Sequence, residues 1–189
     1  MFIQTETTPN PATLKFLPGK IVLQDGVEDF RDAETASAHS PLAAKLFAIP
    51  SVSGVFFGFD FITVTKTDGE WAHLKPAILG TIMEHMMADL PIMAISANQL
   101  NHDEEEFFAP QDQEIVDTIK ELLETRVRPA VAQDGGDITF RGFEHGVVYL
   151  NMRGACSGCP SSTATLKHGI ENLLRHFVPD VVGVEAMPQ

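Results

Sequence analysis

An abrupt acidic stretch, His102-Asp103-Glu104-Glu105-Glu106 followed by Phe107-Phe108-Ala109-Pro110, limits what this chain can fold into, because one continuous core cannot run through it. Residues 102–111 carry four carboxylates and no cation. Like charges at that density repel, stay hydrated and keep a tether extended. The 189 residues are thereby read as a segment 1–101, an acidic linker 102–111 and a segment 112–189, and with 44% hydrophobic content both segments can bury a core. Phe107 and Phe108 do not belong in a pure tether and suit docking on a domain face.

The charge balance, 13 Lys and Arg against 26 Asp and Glu, gives a formal net charge of -13. A surface of that sign repels phosphate backbones and anionic lipid headgroups, so neither nucleic acid nor a membrane is expected as a partner. No apolar run approaches the roughly 20 residues of a spanning helix. The start, Met1-Phe2-Ile3-Gln4-Thr5-Glu6, has neither the basic flank of a secretion signal nor an Arg-rich transit pattern. The expectation is a soluble intracellular chain: cytoplasmic if bacterial-type, mitochondrial matrix if it is a processed organellar one.

In the first segment, Ile3, Thr5 and Thr7 alternate with Gln4, Glu6 and Thr8 as in an early strand stopped by Asn10-Pro11. An extended piece follows around Leu14 to Leu23. Leu42, Leu46 and Ile49 share a helical face that Pro50 ends, and Val52 to Phe57 and Phe61 to Thr65 flank Gly58-Phe59-Asp60 as a hairpin. Trp71, Leu74, Ile78, Ile82 and Met86 mark a longer amphipathic helix. His73 and His85 on or near it read as exposed or satisfied histidines rather than ligands, and Met83, Met86, Met87 and Met93 read as core or interface filler. No clustered catalytic polar set is present in this segment.

In the second segment, Asp112 can cap a helix whose apolar face runs Ile115, Ile119, Leu122, with Val116 and Leu123 beside it, up to about Val131. Gln133-Asp134-Gly135-Gly136 breaks it, since paired glycines permit the positive φ that turns the chain. Ile138, Phe140 and then Val148, Leu150, Met152 alternate on either side of Glu144-His145-Gly146, a β-hairpin pattern. Leu166, Ile170, Leu173 and Phe177 define a second helix that Pro179 interrupts, before a short strand at Val182-Gly183-Val184. The predicted fold class is α+β in two small domains, the C-terminal one α-β-β-α-β with a three-stranded sheet covered by two helices.

Only two cysteines occur, Cys156 and Cys159, in Gly154-Ala155-Cys156-Ser157-Gly158-Cys159-Pro160-Ser161-Ser162 between the hairpin and the second helix. Two are too few for a disulfide framework. Residues three apart in a turn have Cα atoms within about 7 Å, so both sulfurs can face one metal centre. The small neighbours allow close approach to an inorganic core. Pro160 suits the first turn of the next helix, whose positive end is expected to lower the thiol pKa.

One chain offers two thiolates, whereas iron–sulfur clusters and structural zinc sites take four ligands. Two chains supply four, which predicts a homodimer bridged by one labile cluster open to a client's thiolates. Two other chemistries use the same spacing. A thioredoxin-like dithiol expects the motif after the first strand of a βαβ unit, and here it follows an antiparallel hairpin. A structural zinc site needs two more ligands, and His145, His168 and His176 lack finger-like spacing. A pure interaction module remains the alternative for residues 1–101. No nucleophile, base and oxyanion set can be assembled, so enzymatic turnover is not expected.

Arg128-Pro129-Ala130-Val131, Asp134-Gly135-Gly136-Asp137-Ile138 and the cysteine loop together resemble the NifU C-terminal (Nfu-type) domain over about 112–187. Residues Thr7, Pro9-Asn10-Pro11, Lys15-Phe16, Phe56-Phe57-Gly58 and Phe61-Ile62-Thr63-Val64 resemble the N-terminal domain that accompanies it in Nfu proteins. The resemblance implies a scaffold or carrier that assembles or delivers [4Fe-4S] clusters to apo iron–sulfur proteins, supplied by an upstream donor, with Cys156 and Cys159 as metal and cluster ligands. Spacing alone leaves [2Fe-2S] open; the resemblance favours four irons. Phe59 stands where relatives would have proline, which bears on turn geometry and not on ligation. Asp134 to Asp137 reads as a helix-to-strand turn, and Arg153 as a solvent-facing cation that could offset cluster charge.

Overall fold

The computed structural model describes residues 1–94, 106–156 and 160–187, with the side chains of 160–162 left aside. His102, the acidic residues 103–105, and Ser157, Gly158 and Cys159 lie outside the described residues. Two compact units divide the chain, 1–101 and 102–189.

The first unit contains β1 (Gln4–Thr7), β2 (Thr13–Leu17), β3 (Glu28–Phe30), α1 (Ala33–His39), α2 (Pro41–Phe47), β4 (Val52–Phe57), β5 (Ile62–Lys66) and α3 (Trp71–Met87). Its strands form an antiparallel sheet in the order β1-β2-β5-β4-β3. Phe16, Phe57, Ile62 and Val64 from the sheet pack with Leu42, Leu46, Ile78 and Ile82 from α2 and α3, all fully buried. The hairpin, α2 and α3 stand where apolar periodicity puts them. Elements β3 and α1 carry no such signal: β3 has three residues, and α1 buries only Ala36 and is held by Asp32, whose carboxylate accepts from Thr35 N–H at 2.7 Å. At the β4–β5 turn, the Phe59 carbonyl accepts from the backbone N–H groups of Val22 and Leu23, so the position where proline was expected anchors a neighbouring loop through its oxygen.

The second unit contains β6 (Phe107–Phe108), α4 (Gln113–Leu122), a π-helical turn at Leu123–Val127, α5 (Arg128–Gln133), β7 (Gly136–Glu144), β8 (Val147–Gly154), α6 (Pro160–Phe177) and β9 (Gly183–Ala186). The predicted α-β-β-α-β succession is present, but the sheet has four strands rather than three, ordered β6-β7-β8-β9. The central pair is antiparallel and the two outer strands are parallel to their neighbours. The added strand is Phe107–Phe108, which the sequence put in the linker. Phe107 packs over Gly142 and tilts against Tyr149 at 5.3 Å, and Phe108 meets Phe140 edge-on at 6.4 Å. Two residues are too few to reveal a period of two.

Val116, Ile119 and Leu122 bury the inner face of α4, continued by Leu123 in the π-helical turn, while Ile115, predicted on that face, is half-buried. Asp112 precedes α4 without a side-chain capping bond, because Pro110–Asp112 is already a 3-10 turn. Pro129 has no N–H for the carbonyl one turn back, and the ladder widens into the π-helical turn just before it. On α6 the buried stripe is Ile170 and Leu174, continued by Val178, with Leu166 and Leu173 half-buried. Phe177, predicted on that face, is 44% exposed, with the Arg126 guanidinium over its ring at 4.9 Å.

Candidate metal centre

The centre lies at the open end of the β7–β8 hairpin, in a register set from its closed end. At the closed end, His145 (φ 52) and Gly146 (φ 77) both take positive φ, the twist of a tight two-residue turn. That register places Gly136 opposite Gly154 at the other end. There Gly135 (φ 81) ends α5, Gly154 (φ 65) ends β8, and Ala155 N–H donates to the Gly135 carbonyl at 3.2 Å. The Asp134–Gly136 turn and the residues leading into the cysteine loop are therefore tied together through the backbone.

Cys156 follows this junction, its free thiol 5% exposed and packed in the core of the unit. Its sulfur lies against Gly136: a Cβ at that glycine would stand 2.6 Å from Sγ and 2.7 Å from the Arg153 carbonyl oxygen. Only glycine leaves the recess open. Thr163, in the first turns of α6, donates its hydroxyl to the Cys156 carbonyl at 2.9 Å, which fixes the helix start relative to the cysteine backbone.

The thiol pKa was expected to fall at the helix N-terminus. It is instead pushed up to about 12, first by burial and then by the negative charges of Asp134 and Asp137. Desolvation and two carboxylates outweigh the helix dipole, which is worth only about 0.3–1 kcal/mol at most termini. The free chain thus holds a thiol at neutral pH, and a metal binding there must displace its proton.

Asp137 is 4% exposed, and both its oxygens accept from one guanidinium, Arg128 Nε at 2.9 Å and Nη2 at 3.0 Å. Arg128 Nη1 donates to Glu124 Oε2 at 2.7 Å. These contacts raise the already high Arg128 pKa, the Asp137 hydrogen bond contributing most. The turn is legible in the sequence, whereas the Gly136 recess and this clamp are not. The nine-residue spacing from Arg128 to Asp137 becomes a contact only because Gly135 turns the chain back on itself.

The histidines considered for zinc do not gather at Cys156. His145 is exposed at the opposite end of the hairpin, His168 is exposed on α6, and His176 is exposed and stacks edge-on with Phe177 at 4.9 Å. Among the described residues, no three His, Cys, Asp or Glu side chains converge on a common metal position. Arg153 is half-buried opposite Asp137 rather than solvent-facing.

With this geometry in place, residues 119–185 match the family model described as NifU-like domain, and residues 3–89 match that described as Scaffold protein Nfu/NifU N terminal. The second unit is thus of the NifU-like class. The chain is 50% identical over 187 residues to the human protein named "NFU1 iron-sulfur cluster scaffold homolog, mitochondrial", covering 98% of this chain and 71% of that one. It is also 50% identical over 188 residues to "NifU-like protein 4, mitochondrial" of Arabidopsis thaliana, with 98% and 67% covered. Against the Drosophila sechellia protein of the same name as the human one, the identity is 51%, and the chain spans 64% of that relative's length. A solution structure of a NifU-like protein from Saccharomyces cerevisiae is 29% identical, with TM-score 0.45 over 50% of this chain and 85% of that one. The chain belongs to the Nfu family of scaffold proteins.

Proposed function

We propose that this chain is an iron–sulfur cluster scaffold and carrier, in which Cys156 and Cys159 of two subunits hold one bridging [4Fe-4S] cluster and pass it to apo-proteins. The observation that carries the reading is the recess at Gly136, where the absence of a side chain lets the Cys156 sulfur seat directly against the β7 backbone. The name of the human relative, an iron–sulfur cluster scaffold homolog, supports the same cargo.

Transfer is ligand exchange and not catalytic turnover. A client thiolate attacks a cluster iron, the iron–Sγ bond breaks, and the sulfur leaves with the bonding pair. Burial and the carboxylates of Asp134 and Asp137 then favour its protonation, which opposes recapture. In this reading residues 1–101 dock the client, residues from 102 tether the two units, and the second unit carries the cargo. The human and Arabidopsis relatives are named mitochondrial. A matrix or a bacterial-type cytoplasm would equally keep the thiols reduced. Among the described residues no helix is long and apolar enough to cross a membrane.

The test is anaerobic reconstitution, with iron, sulfide and zinc quantified and mass determined before and after loading, for the parent and for Cys156→Ala and Cys159→Ala. One cluster per two chains, lost in both variants, is expected. Zinc without sulfide, a stoichiometric cluster on a single chain, or full loading of either variant would each overturn the reading. Delivery by residues 102–189 at the full rate and client range would remove the docking role of the first unit.

A further inference from the structure

Arg128 and Asp137 supply no ligand, yet their pair stands one residue from the sulfur recess. Asp137 follows Gly136 directly in β7, so a buried carboxylate adjoins the backbone on which Cys156 Sγ rests. One guanidinium occupies both its oxygens, at 2.9 Å and 3.0 Å. The Arg128 side chain is 30% exposed, placing the cation between the buried carboxylate and solvent. Its other contact, Glu124, is 66% exposed, and a surface pair of that kind contributes little. The fork geometry suits Asp137 and not a point charge, and Arg128 reaches it from the start of α5, directly after the π-helical turn that Pro129 imposes.

A cluster held by four thiolates is anionic. A bare carboxylate beside it would repel the cluster, ease its detachment and make electron addition harder. A guanidinium bound to both carboxylate oxygens opposes each of these effects and leaves only a residual negative field at the sulfur.

We infer that Arg128 is a positioning residue for cluster retention, its guanidinium offsetting most of the Asp137 charge beside the recess that seats the Cys156 sulfur. This rests on the reading of Cys156 as a cluster ligand. Groups just behind metal ligands commonly change metal affinity by about 10–100-fold when removed. A purely structural clamp would also matter, but differently: breaking it from either side would loosen the site in the same direction, and breaking both sides would be no better. A charge-cancelling pair gives opposite signs from its two halves and near-restoration when both are removed.

The experiment uses the full-length chain, reconstituted anaerobically, as parent, Arg128→Gln, Asp137→Asn and the double variant. Two quantities are read: the first-order loss of cluster to a ferrous chelator, and the midpoint potential of the bound cluster. Arg128→Gln is expected to release its cluster about tenfold faster and shift the potential negative. Asp137→Asn should shift it positive without speeding release, and the double variant should fall within about threefold of the parent rate. Shifts of the same sign in the two single variants, no shift in either, or a double variant as labile as Arg128→Gln would overturn the inference. Should Arg128→Gln not fold, Asp137→Asn and the double variant still differ by that guanidinium, and equal potentials in those two would overturn it. If Cys156→Ala loads like the parent, the cluster reading itself fails. If loading needs Cys156 while the charge variants behave alike, only the role of Arg128 falls.

Discussion

The Cα of Gly136 faces Cys156 so closely that a single methyl group added there would stand 2.6 Å from the sulfur. The same methyl would meet the Arg153 carbonyl oxygen at 2.7 Å, and a backbone atom paired in β7–β8 cannot rotate away as a side chain can. Gly136→Ala is therefore expected to destabilise the metal-free second unit by about 1–3 kcal/mol, the usual cost of overpacking. Calorimetric unfolding of the full chain checks it: the transition of the second unit should move down while that of the first stays in place. An unchanged transition would mean that the junction yields without cost.

Gly142 and Phe107 make a second contact of this kind. The Phe107 ring occupies the space a Cβ at Gly142 would need, and this contact, with the Tyr149 ring tilted against it at 5.3 Å, seats β6 on the sheet. Gly142→Ala should cost about 1–3 kcal/mol in the parent but little in a Phe107→Ala background, where the ring is gone. The resulting double-mutant cycle should show a coupling of about 1 kcal/mol or more, read by denaturant unfolding. Additive effects would mean that β6 is not held through this ring.

Neither contact is visible in the sequence, because each joins residues brought together only by the sheet. The helices α2, α3, α4 and α6 and the β4–β5 and β7–β8 hairpins were legible because their apolar residues repeat with one period over enough positions to exceed chance. Strand β6 was not, since two phenylalanines after four carboxylates read as linker, and their partners Gly142 and Tyr149 lie more than thirty residues on. The cysteine loop was visible from spacing and residue size, whereas the recess was not: Gly136 reads locally as half of a helix-breaking glycine pair, and its second role exists only once β7 and β8 are in register. The thiol pKa went the other way from expectation because the helix after Cys156 is visible in sequence and the burial of its sulfur is not.

Gly146 closes the β7–β8 hairpin at φ 77, and a Cβ there would come within 2.9 Å of both the Asp180 carbonyl oxygen and a Val182 methyl. Backbone strain and contact both oppose a side chain. Gly146→Ala should destabilise the unit by about 1 kcal/mol from the positive φ alone, and by more with the clash. His145, at φ 52, carries the strain without the clash, so His145→Gly should stabilise or leave stability unchanged. Thermal unfolding of the two variants should differ in sign or at least in size, and a larger loss at His145 would contradict this account.

His85 makes the first unit sensitive to acid. Its side chain is fully buried on α3, and because a carbonyl can only accept, Nε2 carries the hydrogen it donates to Pro91 O at 2.9 Å. Nδ1 is then the unprotonated nitrogen, and among the described residues it has no hydrogen-bond partner. Protonating it would create a buried N–H cation with nothing to accept from it. Burial accordingly holds the pKa below the ordinary 6.5, with Lys45 adding to the effect and the Pro91 bond and Glu84 opposing it. In the unfolded chain the ring takes up a proton near 6.5 that the folded state refuses, so the unfolded state binds more protons below that pH. Stability is therefore full above about 6.5 and declines as the pH falls from there towards the lowered folded value. Trp71, the only tryptophan, sits at the start of the same helix, and its fluorescence should report a melting temperature of the first unit that drops between pH 7.5 and pH 5.5. His85→Gln keeps a donor for the Pro91 carbonyl but cannot take up the proton, so its acid-side decline should be shallower than the parent's. An equal slope in the two proteins would assign the acid sensitivity to other groups.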